Sequence, residues 1–159
     1  MPFPPEEVEA AVANYVRLRE RIDAGEATWT DLADVFTDDA VYVDPAWGRV
    51  EGRAGIREFL EESMRGLDDW RFPVEFTAVD GDRVVIKWVQ VVPGTRPDGS
   101  PITQSGVSTL VYAGGGRFRY EEDLLNMVHV LEDLKVSTWR PVRGYAPPTH
   151  PDRDFSVPS

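Results

Sequence analysis

An aspartate followed directly by proline closes an apolar run in Ala40-Val41-Tyr42-Val43-Asp44-Pro45-Ala46-Trp47-Gly48. Proline fixes its own φ and pushes the residue before it toward extended backbone, so backbone stiffness sets the direction of the Asp44 carboxyl. A general base needs such a fixed direction. In an apolar pocket desolvation would raise the pKa of Asp44 toward neutrality, whereas in a plain turn the same side chain accepts hydrogen bonds from nearby amides. Both readings stay open. A second acid lies in Glu121-Glu122-Asp123. Strand alternation places Glu121 and Asp123 on one face and Glu122 on the other. Facing inward, Asp123 is a second proton-transfer group able to work with Asp44 in an elimination or an aldol-type closure. Directly before a helix it is an N-cap, and the sequence favours the cap.

Other candidates are weaker. His129, in Leu124-Leu125-Asn126-Met127-Val128-His129, is one of only two histidines. It has no partner at ligand spacing, so no metal site is expected; its remaining roles are structural, at an interface, or at a pocket mouth with Asn126 beside it. Gly114-Gly115-Gly116 joins two strands and lacks the Lys-Ser/Thr of a phosphate loop, so it is a turn. Trp47, Trp70 and Trp88, with Phe72, Phe76 and Tyr42, form a large aromatic inventory. Most of it belongs to a core. The part lining a cavity, assigned to Trp47, Trp88, Phe72 and Tyr42, suits a flat or polycyclic apolar ligand.

The elements that must hold these groups can be read from periodicity. Val8, Val12, Tyr15, Val16, Arg19 and Ile22 recur at helical spacing over 5–24, with Pro4 and Pro5 at the start and Gly25 at the end. Thr28 or Thr30 caps a short second helix that buries Leu32, Val35 and Phe36. A third helix over 53–65 buries Ile56, Phe59, Leu60 and Met64 and stops at Gly66. The period then changes to two. Segments 70–79 and 83–92 form one hairpin about Asp80-Gly81-Asp82, with Phe72, Val74 and Phe76 on one face, and 102–112 and 117–122 form another. A helix over 124–136 turns Leu124, Val128, Leu131 and Leu134 to one side. The expected division is an α+β domain over 1–140, with a curved, mainly antiparallel sheet wrapped around N-terminal helices, followed by a proline-rich extended tail over 141–159.

Composition narrows the function classes. A chain of 159 residues fits one core without staples. It contains no cysteine, which removes disulfides, thiolate metal sites and a cysteine nucleophile. With 28 acidic against 17 basic residues the net charge is −11, so nucleic acid is not an expected partner. No run is long enough to span a bilayer and the start lacks a leader pattern, so no membrane partner and a cytoplasmic location are expected.

Helix, helix, strand, helix and then antiparallel hairpins resembles the nuclear transport factor 2-like superfamily. Leu32-Ala33-Asp34-Val35-Phe36-Thr37-Asp38-Asp39-Ala40, Asp44-Pro45 and Gly52-Arg53-Ala54-Gly55-Ile56-Arg57-Glu58-Phe59 are similar to SnoaL-like polyketide cyclases and ketosteroid isomerases. The resemblance implies a cone-shaped α+β barrel around a pocket. It puts Asp44 in the place of the isomerases' proton-shuttling aspartate and Tyr15 in that of their oxyanion-hole tyrosine. Their third residue, a protonated aspartate that donates to the oxyanion, falls where this chain has Ser108. Asp123 is placed similarly to an acid of the limonene epoxide hydrolases, whose arginine and second aspartate fall near Gly106 and Ser108 and are not matched.

The reading that results is a cofactor-independent acid–base enzyme, an isomerase, dehydratase or cyclase. Its substrate is a small hydrophobic carbonyl compound such as a polyketide or steroid. Asp44 abstracts a proton α to the carbonyl, with Tyr15 and Ser108 as oxyanion donors. The alternative is a binding protein of the same fold. The apolar inventory of 84–92 and 107–112 leads to the expectation of a homodimer.

Overall fold

The computed structural model describes residues 2–141 and 144–145. Helix α1 (Pro5–Asp23) begins after Pro4, with Pro at its first position where a missing N–H costs nothing. Its buried stripe is Val8, Ala11, Val12, Tyr15, Arg19 and Ile22, one polar and one cationic group among apolar ones. A 3₁₀ helix (Trp29–Val35) follows, its entry fixed by the Thr28 N–H donating to Asp31 Oδ2 at 2.9 Å. Strand β1 (Phe36–Asp44) turns through Pro45-Ala46-Trp47 into the four-residue β2 (Gly48–Glu51), a strand too short to show in the periodicity. Helix α2 (Arg53–Ser63) buries Ile56, Phe59 and Leu60.

Four strands complete the sheet: β3 (Val74–Asp80), β4 (Arg83–Thr95), β5 (Pro101–Gly114) and β6 (Arg117–Leu125). The order is β2-β1-β6-β5-β4-β3, so the sheet is open, with β2 and β3 at its edges. All neighbours are antiparallel except β1 and β6, which run parallel with Tyr42 opposite Glu121. The α+β architecture is therefore as expected, with one parallel pairing that local periodicity cannot reveal. The core lies between the helices and the sheet's inner face, where Val84, Ile86, Trp88 and Val92 of β4 alternate inward with Ile102, Ser108 and Leu110 of β5.

Three local expectations are corrected. A bulge between Val74 and Phe76 places Phe76 beside Lys87 rather than on the face of Val74, leaving Phe76 56% exposed. Strand β6 keeps pairing with β5 as far as Leu125, so the last helix, α3, spans Met127–Val136 and not 124–136. Its buried residues are Val130 and Asp133, while Leu124, Val128 and Leu131 are exposed. Asp133 anchors this inverted face: Arg96 Nη1 lies 2.7 Å from its carboxylate and Gln104 donates to it as well. Beyond α3, Thr138 and Thr95 exchange hydrogen bonds of 2.9 Å, and Trp139 packs edge-on against Trp70 at 5.3 Å. Apart from Pro141, Gly144 and Tyr145, the expected tail lies outside the described residues.

Candidate active site

Register brings the candidate groups together at the C-terminal ends of β1 and β6. Tyr42 and Asp44 share the inner face of β1, Glu121 and Asp123 the inner face of β6, and Ser108 of β5 lies opposite Asp123. Asp123 accepts hydrogen bonds from the Tyr42 hydroxyl and the Ser108 hydroxyl. Ser108 in turn accepts from the Trp88 indole N–H at 2.9 Å. One helical turn apart on α1, Tyr15 and Arg19 face this row. The Tyr15 hydroxyl donates to Glu121 Oε1 at 2.7 Å, and Arg19 reaches the Tyr15 oxygen at 3.4 Å.

Asp123 is thus a strand residue, and the sequence preference for a helix cap is corrected. The cap of α3 is Asn126, whose side chain accepts from the His129 N–H at 3.3 Å. Asn126 and His129 are both exposed at the start of α3. Trp88, Phe72 and Tyr42 do belong to the core beside the site, whereas Trp47 is half-buried against Phe59 at a ring separation of 6.3 Å. Asp44, Trp47 and Asp123 are the half-buried members, and theirs is the end of the site nearest solvent. An open groove of about 490 Å³ between α1 and β3, lined in part by Val12, Val16, Val74 and Val79, contains none of the candidate residues.

The electrostatics follow from burial. Desolvation, reinforced by the negative charge of Asp123, raises the pKa of Asp44 to about 6, against two stabilising bonds from the Trp47 and Ala46 amides at 2.8 and 2.7 Å. Both sequence readings of Asp44 therefore coexist, a turn acceptor and a desolvated acid. Desolvation also raises Asp123, although donors from Ser108 and Tyr42 and the charge of Arg19 oppose the rise. Glu121 lies well above the usual carboxylate range through burial and the neighbouring Asp123. Burial and those carboxyls raise Tyr15 and Tyr42 well above the ordinary phenol value.

Tyr15 and Ser108, expected as oxyanion donors, each spend their single hydroxyl proton on a carboxyl, and both are fully buried. Local sequence rules assign no functional role to Glu121 or Arg19. Alternation had already put Glu121 on the face of Asp123. The signal for Arg19 was a cation inside an apolar helical stripe, where an unpaired charge is not tolerated. Its guanidinium lies 5.2 Å from the Trp29 ring, 5.7 Å from Trp88 and 5.9 Å from Tyr15, and donates to the Phe72 carbonyl at 3.1 Å. Asp23, one turn on, accepts from the Phe72 N–H, so α1 grips both backbone groups of Phe72. Among the described residues no group of three or more His, Asp or Glu side chains is arranged to hold a metal ion, and no helix is long and apolar enough to cross a membrane.

Residues 12–120 match the family model described as a SnoaL-like domain. Among solved structures, a protein designated a SnoaL-like polyketide cyclase from Jannaschia sp. CCS1 superposes with a TM-score of 0.63 at 18% identity, covering 89% of this chain and 99% of its own. TerC, co-crystallised with polyporic acid, gives 0.57 at 24% identity, covering 81% and 98%. An NTF2-like protein of unknown function from Burkholderia pseudomallei K96243 gives 0.61 at 16% identity, covering 84% and 98%. At these identities the structures share the fold. No curated protein sequence matches the chain significantly.

Proposed function

The chain belongs to the SnoaL-like domain family, and on that footing we propose that it is a cofactor-independent acid–base enzyme acting on a small hydrophobic carbonyl compound of polyketide or steroid type. The observation that carries the reading is Asp44, a carboxyl with its pKa raised to about 6, held by a stiff Asp-Pro turn at the half-buried end of the sheet beside Asp123. A base poised just below neutrality is largely ionised at pH 7 yet still basic enough to take a proton α to a carbonyl. Isomerisation, dehydration and cyclisation all begin with that step. Asp123 is the second proton-transfer group, held in place by Tyr42 and Ser108. Tyr15 acts on the ligand only indirectly, through Glu121. Trp47, Trp88 and Phe72 supply flat apolar surface to a polycyclic ligand.

A non-catalytic binding protein is the second reading. It is favoured by the two amide bonds that already occupy Asp44 Oδ1 and by the hydroxyls of Tyr15 and Ser108 being spent within the protein. We also propose a homodimer through the outer face of β4 and β5, where Val85, Val89, Val91 and Val107 point away from the core, and a cytoplasmic location.

The experiment uses a panel of small ketones, a β,γ-unsaturated ketosteroid and polyporic acid, the compound crystallised with TerC. Binding is followed by tryptophan fluorescence. Turnover is followed by deuterium incorporation α to the carbonyl and, for the steroid, by ultraviolet absorbance of the conjugated product. The acid–base reading expects exchange that falls at least about a hundredfold in Asp44→Asn while binding persists. Binding by the parent without exchange on any carbonyl supports the second reading.

A further inference from the structure

Glu121 is the most deeply buried acid of the site, with none of its surface exposed. Its Oε1 accepts from Tyr15, while its Oε2 is shut off from solvent and has no hydrogen-bond donor among the described residues. The acid beside it is Asp123, two residues along on the same inner face of β6, and the two carboxyls interact. Asp123 already accepts from Tyr42 and Ser108. Two carboxylates cannot satisfy one another, since an ionised carboxyl only accepts. A single proton resolves the arrangement: placed on Glu121 Oε2 it removes the orphan oxygen, gives Asp123 a third donor and leaves one negative charge where two would repel.

We propose that Glu121 and Asp123 share one proton at neutral pH, seated on Glu121 Oε2 and donated to Asp123, which makes Glu121 a positioning residue that sets the protonation state of Asp123. The groups facing the pair agree with this count. On α1, Arg19 supplies the one buried positive charge among the described residues, balanced by a single Asp123 anion, and Tyr15 donates to Glu121 and does not ask it to donate. On β1, Tyr42 donates to Asp123, and Asp44 adds a negative charge above its own pKa. On β5, Ser108 donates to Asp123.

The role in catalysis rests on the acid–base reading above: an elimination or aldol-type closure needs a proton delivered as well as one removed, and the pair stores it. That proton passes to a developing oxyanion at Asp123. The pair then carries two negative charges beside Arg19 until water supplies a proton to reload it, balancing the substrate proton that Asp44 releases to water.

Infrared difference spectroscopy at pH 8 tests the proposal, because Asp44 is then ionised. The protein is expected to show one neutral carboxylic-acid carbonyl band that shifts in D₂O. The band is lost in Glu121→Gln and kept in Asp44→Asn. Glutamine should support folding, since its amide N–H can donate to Asp123 while its oxygen accepts from Tyr15. No neutral carboxyl at pH 8, or a band that survives Glu121→Gln, overturns the proposal. Should that variant not fold, carboxyl-labelled glutamate in the parent decides by NMR: one buried glutamate with the chemical shift of the neutral acid at pH 8 supports it, and all glutamates ionised overturns it. Neither readout needs turnover, so a neutral Glu121 in a protein without α-proton exchange upholds the shared proton while rejecting the enzyme.

Discussion

The indole of Trp88 lies against Gly106 on the neighbouring strand, so close that a Cβ at position 106 would meet the ring at 2.3 Å. The two residues are register partners, and the missing side chain lets the ring cross β5 to reach Ser108 with its N–H. Gly106 is thus needed for space and not for an unusual φ. Gly106→Ala should displace the ring, break the Trp88 to Ser108 bond and cost about 1–3 kcal/mol. Urea unfolding followed by tryptophan emission checks this, and an unchanged midpoint would contradict the close approach.

Asp44 should make stability depend on pH in a specific direction. Its folded pKa of about 6 exceeds the ordinary 3.8, so between these values the native state binds more protons than the unfolded chain. Stability therefore falls as pH rises through that window, the loss being complete above it and absent below it. Two units correspond to at most about 3 kcal/mol. Asp44→Asn keeps an acceptor for the turn amides and removes the charge, so it should flatten the slope between pH 4 and 6 and stabilise the protein at pH 7.5. A variant less stable at pH 7.5 would show that the turn bonds need the ionised oxygen.

Tyr15→Phe removes the only donor to Glu121 Oε1 among the described residues while preserving the ring contact with Phe118. Leaving that oxygen unpaired should cost about 1–3 kcal/mol. Because the proposed function has Tyr15 act only through Glu121, the fall in α-proton exchange should be smaller than in Asp44→Asn. A larger fall would return Tyr15 to the role of direct oxyanion donor.

Homodimerisation should be visible by light scattering at micromolar concentration. Val89→Lys and Val107→Lys place charges on the outer face of β4 and β5, and each should yield a monomer of unchanged circular dichroism. A monomeric parent would reject the interface.

Much of this arrangement is legible in the sequence because it follows from local rules. The Asp-Pro stiffness that orients Asp44, the alternation that pairs Glu121 with Asp123 and the stripe that buries Tyr15 each depend on a few neighbouring residues. What local rules miss is set by pairing partners far away. Strand β6 runs on through Leu125 because β5 continues opposite it, which moves the helix cap from Asp123 to Asn126. The bulge that turns Phe76 outward is a property of two strands and leaves no mark on one. Likewise α3 buries Val130 and Asp133, not its apolar side, because Arg96, just past β4, and Gln104 of β5 hold Asp133.

The parallel pairing of β1 with β6 has a consequence for the order in which the molecule assembles. Strands β3 to β6 are joined by short connections and pair with their chain neighbours, whereas Tyr42 and Asp123 are 81 residues apart and Tyr15 and Glu121 are 106 apart. Closing such long loops comes late, since the entropy of the loop is lost before any contact rewards it. In pulse-labelled refolding the amides of β4 and β5 should gain protection before those of β1, and protection of β1 first would contradict this sequence of events. During synthesis the order of appearance is the reverse: Tyr15, Arg19 and Tyr42 leave the ribosome well before Glu121 and Asp123. Tyr15, Arg19 and Tyr42 thus have no carboxyl to dock against until nearly the whole sheet exists, and any chain cut short before β6 carries half a site with its arginine uncompensated.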